Sequence, residues 1–292
     1  MNTTTDAHGI SGADGVAAAQ WVANARMYSV SPEVASLWRL LLSAIIARAG
    51  VSAVVIDYPA PAPLADLWSR PDKAAVFMCG LPFSRAEPQP VLMSAPVPSA
   101  PEFQGQPQYW SDFVVREDSA FRTLEDTFGA RLAFTVPDSQ SGCLAALSHF
   151  MSLPPRATPL YREVIAPTIT PLANVTAVVE DRADVAPIDA YALRLLRAYR
   201  PDLASKIRVL AKTAPTPIPP LIASQAMPAL QAAFLEAHQI DSIKPLMDQL
   251  LLQRFARPDA GAYGVLKERF AAAMVYWRRH PIAASVHPAF QL

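Results

Sequence analysis

The sequence predicts an α/β protein built as two successive blocks with a helical tail. Three observations carry this reading. Short apolar or β-branched runs alternate with amphipathic stretches along most of the 292 residues, the pattern of sheets whose strands are joined by right-handed helical crossovers. Apolar residues make up 52% of the chain and charged ones 17%, enough to bury a core in one large domain or two of ordinary size. From about residue 227 onward, runs rich in Leu, Phe and Met follow helical spacing, which reads as core contact.

The elements follow in order. After a polar, mobile start, "ANARMYSV" (23–30) reads as a short strand. Ser31, Pro32 and Glu33 then supply a cap, a proline at the first helical position and an early acid. Val34, Leu37, Leu41, Ile45 and Ala49 recur at three and four residues and carry a helix to Gly50. "SAVVIDY" (52–58) reads as a buried strand and "AAVFMCG" (74–80) as another, so strand, helix and strand predict a parallel sheet.

The middle repeats this order. "YWSDFVVRE" (109–117) is a strand, "SAFRTLEDTFG" a short helix stopped by Gly129, "RLAFTV" (131–136) a strand, and a helix follows near 141–151. Beyond a proline-rich passage come a helix over 172–181, the strand "ADVAPID" (183–189) and a helix over 190–199. Strands at 206–213 and 220–224 flank "APTPIPP", and tail helices are expected at 227–238, 244–255 and 262–279. The 29 prolines, about twice the usual ~5% share, cluster at 59–63, 82–107, 154–171 and 215–220. They mark rigid extended connections. The two α/β blocks are thus 23–108 and 112–205.

Composition excludes several classes. The 25 basic residues balance 25 acidic ones with no like-charged block, which argues against a nucleic-acid partner. Cys79 and Cys143 form no C-x-x-C and no metal-type pair; each reads as a buried thiol, and spacing leaves one disulfide between them open. The five histidines are scattered, so neither a metal site nor a cofactor is expected. No run of about 18 apolar residues is present, which gives no membrane-spanning helix. The first residues lack the basic and apolar regions of a signal peptide, so the chain is expected not to be visibly exported.

"TVPDSQSGCLAAL" (135–147) packs two serines, a glutamine and a glycine between an apolar run and a helix. Free N–H groups at a helix start point outward and favour anionic groups, and Gly142 lets a ligand approach the backbone. An ordinary serine N-cap is the competing reading. Ligands of open α/β sheets sit beyond the carboxyl ends of strands. Tyr28-Ser29, Cys79-Gly80, Ser139–Gly142 and Asp189 all fall there, and their convergence favours a ligand cradle. Arg26 and Arg85 flank these strands and read as exposed arginines, and Trp38 and Trp68 as core or helix-face residues. Asp189 divides between a capping acid and a partner for a ligand donor group. No nucleophile–base pair is visible, because His149 lies eight to ten residues along the helix from Ser139 and Ser141.

The succession "MYSV", "FMCGLPFS", "YWSDFVVRE", "DSQSG", "DRADVAPID" and "TAPTPIPPLIAS" resembles the phosphate/phosphonate-type substrate-binding proteins of ABC transporters. The likeness covers about 25–225. It implies a two-lobed type 2 periplasmic-binding-protein fold with two crossover strands, near 109–116 and 208–221, and a C-terminal helical segment. The lobes implied are 23–108 with 218–292, and 112–210. It implies a monomeric solute-binding protein, not an enzyme, that captures a small anionic or polar ligand between the lobes. Its partners would be that ligand and an ABC transporter permease, in the periplasm. The site residues implied are Tyr28, Cys79, Gly80, Tyr109, Trp110, Ser111, Ser139, Gln140, Ser141 and Asp189. Leu81 stands where many members carry a tyrosine, and Pro171 and Asn174 where many carry a histidine and a serine. The alternative is a cytoplasmic enzyme or ligand sensor built on the same two-lobed fold that the resemblance implies.

Overall fold

The computed structural model describes residues 20–286 and Phe290. The polar start, with His8, and His287 in the tail lie outside the described residues. The chain opens with β1 (Trp21–Asn24), a 3-10 turn (Arg26–Tyr28), α1 (Pro32–Ala49), β2 (Ala53–Val55), α2 (Leu64–Ser69), β3 (Lys73–Phe77), α3 (Gly80–Arg85) and β4 (Val91–Pro98). Then come β5 (Gln108–Tyr109), β6 (Ser111–Arg116), β7 (Arg131–Ala133), α4 (Ala145–Ser152), β8 (Tyr161–Ile165), α5 (Pro171–Val179) and β9 (Ala186–Asp189). They are followed by α6 (Ala190–Tyr199), α7 (Pro201–Ala204), β10 (Ile207–Lys212), β11 (Thr216–Pro217) and β12 (Leu221–Ala223). The tail is α8 (Pro228–Glu236), α9 (Lys244–Gln249), β13 (Leu252–Ala256), α10 (Ala260–Arg279) and β14 (Ala283–Val286).

The fold is α/β and two-lobed. The first lobe holds a six-stranded sheet in the order β13-β4-β12-β3-β1-β2. β1 pairs parallel with β2 and β3, as α1 and α2 make crossovers between them. β12 and β13 run antiparallel to their neighbours, because the chain re-enters this lobe from the second one. The all-parallel sheet expected from the sequence is therefore mixed. In the second lobe, β10-β6-β9 is antiparallel and β14-β8-β7 parallel. One bridge, Leu132 to Val185, joins the two ladders. Between the lobes, Tyr109 of β5 lies opposite Thr216 of β11, and Gln108 opposite Pro217. This short antiparallel ladder is the hinge.

α1 forms for the reasons its sequence gives. The Ser31 hydroxyl accepts from the Val34 N–H at 3.2 Å, and Gly50, at φ +64°, ends the helix in the left-handed conformation. Its buried face, Val34, Leu37, Leu41 and Ile45, packs beneath α8 and α9.

Elsewhere, local competition moves the boundaries. The strand expected over 23–30 ends at Asn24, whose side-chain oxygen accepts the Arg26 N–H at 2.9 Å and starts the 3-10 turn. The expected helix over 119–129 shrinks to Glu125–Thr127, because the Asp126 carboxylate takes the N–H groups of Arg122 and Thr123 at 2.7 and 2.8 Å. "SAVVIDY" keeps only three half-buried strand residues at the sheet edge. The helix expected over 244–255 stops at Gln249. Leu251 then turns at φ +55° into β13.

The tail spans both lobes. α10 lies against α3 of the first lobe and α4 of the second, and Trp277 Nε1 donates to the Leu147 carbonyl at 3.3 Å. β14 then adds beside β8 in the second lobe, so 218–292 does not stay wholly with the first. Cys79 and Cys143 are both buried and free, which removes the disulfide. No described helix is long and apolar enough to cross a membrane.

Candidate ligand-binding cleft

A cleft of about 290 Å³ lies between the lobes. On the first lobe its wall is the 3-10 turn after β1, the outer face of α2, and Cys79 at the end of β3. On the second it is the β7–α4 junction, the approach to α5, and the end of β9. These are strand ends, as open α/β sheets dictate.

Ser139 serves as a cap. Its hydroxyl accepts from the Gly142 N–H at 3.0 Å and its carbonyl from the Leu144 N–H at 3.0 Å. The latter closes the wide π-type turn Gln140–Leu144 that feeds α4. A Cβ on Gly142 would lie 2.0 Å from Thr135 Oγ1, so only glycine lets the turn close on the strand end. The Gln140 N–H donates to Cys79 Sγ at 3.3 Å. Two of the four N–H groups over 140–143 are thus used within the protein. That of Ser141 has no acceptor among the described residues. The Ser141 carbonyl accepts from Ser111 Oγ at 2.8 Å, which anchors the turn to the first residue of β6, while Ser141 itself lines the cleft.

Asp189 closes the floor. One carboxylate oxygen accepts from the N–H groups of Tyr191 and Ala192, each at 2.9 Å, and so caps α6. The other accepts from the Tyr28 hydroxyl at 3.3 Å. Burial pushes the Asp189 carboxyl up to about 7 against these three hydrogen bonds. Burial likewise pushes the Cys79 thiol up to about 12, an inert protonated group that packs and accepts a hydrogen bond. Asp138, directly before Ser139, also lines the cleft, and burial raises its carboxyl.

Arg26 is the basic residue of the cleft lining among the described residues. Its guanidinium donates to the Ala62 carbonyl and lies 5.6 Å from the Tyr58 ring centroid. It is half-buried and already engaged, not the exposed arginine expected. Apolar side chains fill the remaining wall, chiefly Met27, Leu64, Trp68, Ile169 and Leu172.

Five of the ten residues singled out from sequence line this cleft: Tyr28, Cys79, Ser139, Ser141 and Asp189. The other five stand behind it. Gly80 opens α3 and leaves room for Leu266 and Tyr263 of α10, where a Cβ would come within 2.8 Å of Leu266. Tyr109 is buried in the hinge ladder, its hydroxyl beside the Ser141 side chain. Trp110 stacks on Phe103 with centroids 4.8 Å apart and donates to Asp112 at 2.9 Å. Ser111 supports the Ser141 turn, and Gln140 is buried between the lobes.

Of the remaining lining residues, Thr135 and Asp138 belong to the 135–147 stretch itself, Leu64 and Ile169 lie away from any strand end, and Trp68, expected in the core or on a helix face, also faces the cleft. His149 packs against Phe113 and is absent from the cleft lining, so no serine–histidine pair forms there.

A family model described as "ABC transporter, phosphonate, periplasmic substrate-binding protein" matches residues 76–263. No curated protein matches the chain significantly. Among solved structures, a binding protein component of an ABC phosphonate transporter from Pseudomonas aeruginosa superposes with TM-score 0.69 at 18% identity, covering 89% of this chain and 87% of its own. PhnD1 from Prochlorococcus marinus, in complex with methylphosphonate, gives 0.68 at 15% identity, covering 87% and 97%. The glutamate-bound GluR0 ligand-binding core from Nostoc punctiforme gives 0.52 at 15% identity, covering 79% and 98%. At these identities each likeness is one of fold.

Proposed function

The chain belongs to the family of periplasmic phosphonate-binding proteins of ABC transporters, and from that premise we propose that its interlobe cleft captures a small solute and hands it to a transporter permease. The acceptor end of the solute rests on Ser141, through its side chain and its free N–H. A donor group on the solute faces Asp189. The observation that carries this reading is the pairing, in one cleft, of the unused N–H of Ser141 at a helix start with a buried carboxyl whose three hydrogen bonds all come from the protein. Proteins of this family bind and deliver substrates. For this chain, binding without chemical change and action in the periplasm are part of the proposal, and so is a phosphonate-type ligand, by analogy with the methylphosphonate held by the Prochlorococcus relative.

Native mass spectrometry of the full chain mixed with methylphosphonate, 2-aminoethylphosphonate and inorganic phosphate tests it. Support is a one-to-one complex with at least one phosphonate, from which the ligand is recovered unchanged. No complex with any of the three, or a chemically altered ligand, contradicts it.

A further inference from the structure

Ile169 stands where a β-branched residue is least at home. Its φ is +71°, in the left-handed region that such residues enter only under strain. The Thr170 N–H donates to the Thr168 carbonyl at 2.9 Å, closing a γ-turn of the rarer, strained hand around it. The flanking residues hold this conformation in place. The Thr168 N–H reaches the carbonyls of Phe134 and Thr135 at 3.1 Å, and its hydroxyl reaches Asn174 Oδ1 at 2.5 Å. Thr170 caps α5 through the Ala173 N–H at 3.1 Å. Strain of this kind persists where the surroundings over-determine it, and it gathers at ligand sites.

What the strain achieves is exposure of an apolar side chain inside the cleft. Ile169 is 37% exposed and lines the cleft with Leu64, Trp68 and Leu172. The Trp68 ring is fixed, its Nε1 donating to the Phe77 carbonyl at 2.9 Å. Glycine would take the same φ at no steric cost, so isoleucine here sacrifices stability for apolar surface. The charges point the same way. The lining carries the carboxyls of Asp138 and Asp189 and, among the described residues, the already engaged Arg26 as its basic group. Nothing in that set holds a bare dianion by charge, so apolar burial adds to the affinity that the Ser141 donors supply.

We infer that Ile169, with Leu64, Trp68 and Leu172, forms an apolar subsite selecting solutes that carry an alkyl or aryl substituent beside the acceptor group, and that Ile169 is its specificity-determining residue. This rests on the reading of the cleft as a phosphonate-type solute site.

Calorimetric titration of the full chain with methyl-, propyl- and phenylphosphonate tests it, in the wild type, Ile169→Gly and Ile169→Val. Each methylene buried adds about fourfold in affinity, so the wild type is expected to bind propylphosphonate about tenfold or more tightly than methylphosphonate. Ile169→Val keeps that ratio above about fivefold. Ile169→Gly brings it below about threefold, with a melting temperature equal to or above wild type as the check on folding. A flat wild-type series, or an undiminished ratio in Ile169→Gly, overturns the inference while the site reading stands. Failure of all three phosphonates to bind overturns the site reading and the inference together.

Discussion

Tyr28 and Asp189 meet across the cleft floor, the tyrosine hydroxyl of the first lobe donating to the carboxylate of the second at 3.3 Å. The carboxyl is buried, and that burial pushes it up to about 7 in the folded chain, against the ordinary ~3.9 of an unfolded aspartate. The native state therefore holds a proton that the unfolded state has released between about pH 4 and 7. Stability from this group is present below pH 4 and falls as pH rises through 7. Thermal melts from pH 5 to 8 are expected to show this decline, and Asp189→Asn, which keeps the helix cap, to flatten it.

The two serines of the cradle separate by role. Ser139 caps the turn into α4, so Ser139→Ala is expected to cost about 1 kcal/mol of stability. Ser141 lines the cleft without a capping bond. Ser141→Ala is expected to leave the melt within about 0.5 kcal/mol, the range of substitutions away from caps and core. It should weaken ligand binding by about 1.5–3 kcal/mol for a charged acceptor. One melt and one titration of each variant read this out.

Gly142 meets Thr135 so closely that a Cβ would clash with Oγ1, Cγ2 and Cβ of the threonine. Gly142→Ala is expected to destabilise by about 1–3 kcal/mol or more through overpacking. Adding Thr135→Ala, which removes two of the three clashing atoms, should recover part of that loss in denaturant melts.

At the hinge, Arg194 of α6 donates to Glu102 of the first lobe at 2.6 Å and approaches the fully buried Asp112 at 4.0 Å. Trp110 Nε1 bonds the other Asp112 oxygen. Removing the cation strands a buried carboxylate, so Arg194→Ala is expected to cost about 3 kcal/mol or more. Asp112→Asn keeps an acceptor for Trp110 and should cost less than half of that. Chemical denaturation of the two variants decides the order.

Local signals carried far in this sequence. Ser31, Pro32 and Gly50 bracket α1 as their chemistry requires, and strand ends pointed to Tyr28, Cys79, Ser139, Ser141 and Asp189. What failed was non-local or masked by proline. β4 contains Pro96 and Pro98, residues that argue against a strand inside a sheet, so it read as a connection. β14 lies beside β8, more than 100 residues earlier in the chain, and no periodicity reveals such a pairing. Ile169 sits in a proline-rich passage, and its strained backbone has no sequence signature. The apolar wall of the cleft was therefore invisible where the polar floor was not.

Capture of the solute is expected to close the cleft, since two-lobed proteins of this architecture respond to ligand by hinge motion. Small-angle scattering of the full chain, with and without a phosphonate shown by calorimetry to be saturating, tests it most directly. The expected result is a smaller radius of gyration with ligand, lost under the same conditions in Ser141→Ala. An unchanged radius with the ligand bound would contradict it.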